Sequence, residues 1–172
     1  LFRFIFSSMS RGDMVLPKKG VGAYPNHLAE KIGLDRISLS TSAFADDSTT
    51  IIIDGQKKTV DQVVVAHPLP SEEKSMRKVW TVYFDSPTSP APGKYLLLNG
   101  DYQLGKTAIA HVAVPSDVQP SYAPAGRSLV VATIVGDAAD SLNLNNAEEV
   151  ESRARKEIQQ WFPDSENWNT LD

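Results

Sequence analysis

Apolar and polar residues change period several times along the chain, and each change marks an expected element. Phe2, Ile5, Phe6 and Met9 are spaced for one helical face, predicting a short helix over residues 1–10 that Arg11-Gly12-Asp13 ends. Residues 18–25 form a glycine-punctuated loop. Pro25 suits the first turn of a helix and Gly33 its C-terminal cap, with Leu28 and Ile32 four apart between them. Ile37, Leu39 and Thr41 then alternate with serines, the period of a strand. Residues 49–53 and 60–66 read as two more strands, with Asp54-Gly55 as the hairpin signal between them, because this pair tolerates positive φ. Pro68 and Pro70 mark the exit from this small β unit.

A second sheet is predicted from the β-branched and aromatic runs at 79–84, 95–98, 107–114 and 128–135. Pro- and Gly-rich stretches separate them, which favours mainly antiparallel pairing with room for a mixed sheet. The clearest helix follows. Asn146 caps it, Glu149 takes its third position, and Val150, Ala154, Ile158 and Trp161 or Phe162 recur at helical spacing. Glu151, Arg153, Arg155 and Gln159 fill its other faces, so it is expected to lie on the sheet. The predicted fold class is therefore α+β. It divides into residues 1–70, with short helices and the small β unit, and residues 71–172, with the larger sheet and its covering helix.

Composition narrows the function classes. The 172 residues carry a net charge of −4 without a basic cluster, which argues against nucleic acid; Lys18-Lys19 and Lys57-Lys58 are too short to make a phosphate stripe. There is no cysteine, which removes disulfides, thiolate nucleophiles and cysteine-based metal sites, and fits a cytoplasmic or organelle-soluble setting. The apolar opening is far shorter than the ~20 residues of a spanning helix. Because the sequence begins with Leu1 and stops at Asp172 without a tail-like composition, it reads as an internal piece of a longer protein.

No self-sufficient catalytic constellation is visible. His27, His67 and His111 have no sequence-local partners, and His111 reads as a sheet histidine. No metal-ligand spacing occurs, and Asp46-Asp47 and Glu72-Glu73 read as solvated loops. Gly20-Val21-Gly22 lacks the third glycine of a dinucleotide fingerprint. Arg11-Gly12-Asp13 matches an integrin-recognition tripeptide, but in an acidic, cysteine-free chain it reads as a turn.

A functional expectation comes from resemblance. The segment from Gly20 through Pro25 and Leu28 to Gly33 resembles one in the FAD-dependent amine-oxidase and phytoene-desaturase superfamily of NAD(P)/FAD-dependent oxidoreductases. There it precedes a strand like 37–43, a hairpin like 51–61 and a strand ending like Val64-Val65-Ala66-His67-Pro68. Leu97-Leu98-Asn99-Gly100, Val114-Pro115-Ser116-Asp117, residues 121–126 and 128–130, and Trp161-Phe162 followed by Trp168 resemble one branch of the same superfamily. The resemblance implies a fragment that contributes the substrate-binding domain of a flavoprotein. The small β unit would belong to the FAD domain. The Rossmann strand–turn–helix and the closing C-terminal segment are missing, so the fragment is expected to be inactive alone, with no catalytic residue and without retained FAD. By the same resemblance Ala43 would meet the adenine through its main chain, and Gly20, Gly22 and Ala66 would lie near the domain junction. Trp80, Tyr83 and Asn99 are candidates by position for contact with a small-molecule substrate. A homo-oligomer is left open. The alternative is a self-contained, non-catalytic α+β binding or interaction domain.

Overall fold

The computed structural model describes residues 3, 7, 10–13, 15–67 and 77–171. The helix expected over 1–10, the exit at Pro68 and Pro70, and the Glu72-Glu73 pair lie mostly or wholly outside these residues. The chain divides into two compact units, one of residues 22–76 and one of residues 1–21 with 77–172.

In the 22–76 unit, α1 (Ala23–Ile32) starts at Gly22 and stops at Gly33, whose N–H bonds the Ala29 carbonyl at 3.0 Å. A three-stranded antiparallel sheet follows in the order β1 (Ala43–Ala45), β2 (Thr50–Ile53), β3 (Gln56–Thr59). Asp54 and Gly55, both at positive φ (47° and 81°), make the predicted two-residue turn. That turn also explains a displaced strand. It pairs Gln56 directly with Ile53, so the four residues of β2 are used up by Thr59. Residues 60–66, expected as the partner strand, therefore run on as irregular chain, tied by Val60 N–H to Thr49 O and Val63 N–H to Ser48 O. The alternating run from Ile37 to Thr41 is likewise not a strand. Ser40 sits at φ 54°, which breaks the extended backbone, and pairing begins only at Ala43.

The second unit holds a five-stranded sheet in the order β5–β6–β7–β4–β8, from β4 (Val79–Ser86), β5 (Leu96–Leu98), β6 (Ile109–Ala113), β7 (Ser128–Val135) and β8 (Asn169–Leu171). All described pairs are antiparallel. Short helices α2 (Pro115–Val118) and α3 (Gly136–Ser141) flank β7, and α4 (Ala147–Trp161) is the predicted covering helix. The Asn146 side chain accepts from the Glu149 N–H at 2.9 Å, as a cap should.

Helix α4 buries Val150, Ala154 and Ile158 together with Val82, Phe84, Ile109, Val112, Val130, Ala132 and Ile134 of the sheet. This is the α+β fold expected, with its C-terminal helix on the larger sheet. Among the elements that escape a reading of periodicity, β8 and α3 have plain reasons. Strand β8 has three residues, too few for a period. α3 follows β7 immediately, and the Gly136 N–H bonds Lys78 O at 2.8 Å, an approach that leaves no room for a Cβ.

Candidate functional site

Strands place alternate side chains on opposite faces, and in this sheet only one face is covered by α4. The registers define the other face as two rows. Leu171, Tyr83, Val131, Ala113 and Leu96 run across all five strands from β8 to β5. Beside them Thr81, Thr133, His111 and Leu98 run across four. The first row is apolar apart from one phenol. The second brings two hydroxyls and an imidazole into a line that ends on an aliphatic side chain. Leu98 is 72% exposed and Leu171 44%, so solvent or a ligand reaches both ends of this surface.

The face is nearly uncharged. Its carboxylate, Asp85, is taken up by a two-pronged contact from Arg127, with Nε–Oδ1 at 2.7 Å and Nη2–Oδ2 at 2.6 Å. The hydrogen bond from Arg127 holds the Asp85 carboxyl below its usual range, partly opposed by desolvation and helped by the guanidinium charge and by Asn169. Beside this pair a cavity of about 140 Å³ opens between Asp85, Tyr122, Pro124, Leu129 and Leu171. Tyr122 is fixed there by its hydroxyl, which donates to Pro17 O at 3.0 Å.

Within the larger unit, the substrate candidates Tyr83, Trp80 and Asn99 take different positions on the sheet. Tyr83 lies on the open face. Trp80 has the opposite parity and packs against the core beneath α4. Asn99 follows β5 and spends its amide on the local turn, donating to Ile109 O at 2.8 Å and accepting from the Asp101 N–H at 3.1 Å. In the other unit Ala43 opens β1, the edge strand, opposite Ile53, so one side of its backbone is unused by the sheet. Gly20 closes a turn onto Pro17 O at 2.9 Å, Gly22 caps α1, and Ala66 is exposed irregular chain. Thr81, Thr133 and the facing of His111 were missed. The strand alternation held the signal, but only the register shows that the three form one row.

Asp46 and Asp47, expected in a solvated loop, are partly engaged. Asp46 pairs with Lys57 at 2.6 Å, and hydrogen bonds from Thr49 and Thr50 hold the Asp47 carboxyl below its ordinary value. No helix among the described residues is long and apolar enough to cross a membrane.

No family model and no curated protein matches the chain. Solved structures do. A double mutant of putrescine oxidase, redesigned in its cofactor binding, superposes with a TM-score of 0.53 at 15% identity over 90% of this chain and 38% of that one. The PF1083 protein of Pyrococcus furiosus gives 0.50 at 14% identity over 77% of this chain and 36% of its own. At such identities the similarity is one of fold. The chain spans little more than a third of the length of either structure.

Proposed function

We propose that this chain is the substrate-side part of a larger FAD-dependent oxidoreductase of the amine-oxidase type, and that the open sheet face forms one wall of its substrate cavity. The observation that carries the reading is the fold similarity to putrescine oxidase, which takes in nine-tenths of this chain but only 38% of that enzyme. The ordered segment resemblances from Gly20 to Trp168 support it independently.

The described residues do not fit a complete FAD site. A dinucleotide pyrophosphate needs a glycine-rich turn joining a strand to a helix N-terminus. Here α1 leaves an irregular loop, and no described strand precedes it. By the superfamily resemblance, Ala43 would offer its main chain to the adenine, and Gly20, Gly22 and Ala66 would be further cofactor contacts. No redox step is assigned to them. The open face would contribute what a substrate wall contributes: apolar area to exclude water, and Tyr83, His111, Thr81 and Thr133 to orient a small molecule.

The test compares the 172-residue chain with the longer protein encoded by its open reading frame. Each is incubated with FAD, passed through gel filtration and examined for visible flavin bands. The reading expects bands in the longer protein and none in the shorter chain. A longer protein that never retains flavin would remove the oxidoreductase reading and leave a non-catalytic α+β binding domain.

A further inference from the structure

A second cavity lies away from the open face, on the α4 side of the sheet, and its walls have a different chemistry. It encloses about 160 Å³ between Trp161, Phe162, Trp168, Asp164, Ser86 and Thr88. The local chain explains the clustering. Helix α4 ends on Trp161, Pro163 opens a 3-10 turn over Pro163–Asn167, and that turn returns Trp168 beside the two rings just left behind. Phe162 and Trp168 have centroids 5.7 Å apart at 33°, and Trp161 and Phe162 6.5 Å apart at 56°. The rings are tilted rather than stacked flat, and all three line the space.

The charge balance of the cavity is one-sided. Asp164 is exposed at its rim and has no ion-pair partner among the described residues, and no lysine or arginine lines the space. The hydroxyl of Ser86 is already committed, donating to Thr88 O at 2.7 Å. The same aromatic cluster holds a cation at its other end, where the Arg155 guanidinium sits 5.5 Å from the centroid of Phe84, itself against Trp168. Aromatic faces attract cations through their ring quadrupoles, and a carboxylate adds to that attraction.

We propose that this cavity binds the methylated ammonium head group of a free small molecule. A water's share of liquid volume is about 30 Å³, so the space suits roughly five heavy atoms, the size of a trimethylammonium group with its first methylene. A neutral isostere gains the apolar contact but neither the cation–π attraction nor the pairing with Asp164. An anion meets the carboxylate. The proposal is independent of the flavoenzyme reading, since it concerns the other side of the sheet.

The experiment titrates the full 172-residue chain with choline and, separately, with 3,3-dimethylbutan-1-ol, in which carbon replaces the charged nitrogen. Tryptophan fluorescence reports binding, because Trp161 and Trp168 line the cavity and only Trp80 lies elsewhere among the three tryptophans. Choline is expected to saturate the signal with an affinity about tenfold above that of the alcohol. Asp164→Asn, at an exposed position, is expected to keep the far-ultraviolet circular dichroism, weaken choline about fivefold and leave the alcohol unchanged. Equal affinities for the two probes, no saturable choline signal, or an unaltered choline affinity in Asp164→Asn each overturns the proposal. Co-sedimentation with phosphatidylcholine vesicles in the absence of saturable choline binding also overturns it, by assigning the surface to a bilayer.

Discussion

One residue that ties helix to sheet in this fold is an acid placed where acids are rarely found. Glu157 is 7% exposed on the buried stripe of α4. Its two oxygens accept from the Ala108 N–H at 2.8 and 2.9 Å and from the Ile109 N–H at 2.9 Å, and Arg153 closes the group with Nε at 2.6 Å from Oε1. These amides open β6, so the side chain fixes where that strand begins under the helix. Truncation leaves two buried donors without a partner. Glu157→Ala is expected to lower the unfolding free energy by about 3 kcal/mol or more, read from urea denaturation midpoints. Asp85 and Glu151 act in a pH-dependent way. Arg127 lowers the Asp85 carboxyl; the Thr170 hydroxyl, then Arg155, lowers that of Glu151. Both folded values lie below the unfolded ones, so their stabilisation is complete above the unfolded carboxylate range and disappears as pH falls through the folded values. Urea midpoints are expected to hold from neutrality to about pH 5 and fall below it, with a shallower fall in Asp85→Asn.

At the scale of elements, the edge strand β8 is held by side chains as much as by its ladder. Arg155 donates through Nη1 to Trp168 O at 3.1 Å, through Nη2 to the Thr170 hydroxyl and through Nε to Glu151 at 2.9 Å. Helical spacing places Arg155 and Glu151 on the polar flank of α4, and nothing local in Asn169-Thr170-Leu171 marks a strand, so the latch is visible only in three dimensions. The same limit applies elsewhere. Periodicity located β4, β7 and α4 because each is long enough to repeat and has a buried face. It misplaced the third strand of the small sheet because the Asp54-Gly55 turn, not the apolar run at 60–66, decides which residues pair. Of the proposed site, Tyr83 is a candidate from its position along the chain, whereas its alignment beside Thr81, Thr133 and His111 depends on a register that no window of one strand contains. Gly136, where α3 leaves β7, gives a further test. A Cβ there would lie 2.8 Å from Lys78 O, a backbone atom that cannot swing aside. Gly136→Ala is expected to cost about 1–3 kcal/mol in thermal or urea unfolding, although alanine favours helices.

For the whole molecule, the two faces of the large sheet make opposite demands. The covered face is complete, with Phe84, Ile109, Val112, Val130 and Ile134 buried under α4. The open face leaves Leu96, Leu98, Val79 and Leu171 at 44% exposure or more. Apolar area of this kind drives association when nothing else covers it. The 172-residue chain is expected to self-associate with rising concentration in light scattering, and Leu98→Lys to reduce that association while shifting the unfolding midpoint by no more than about 0.5 kcal/mol. The strand order also sets a timetable. β4 lies between β7 and β8, so the ribosome completes Ser86 long before either neighbour exists, and β8 comes after β7. At about 5–20 residues per second that interval is on the order of ten seconds. Through it the Val82 and Phe84 side chains, later buried under α4, face solvent or a chaperone. The moment of greatest exposure for this chain therefore falls during its synthesis, before the sheet that protects it can close.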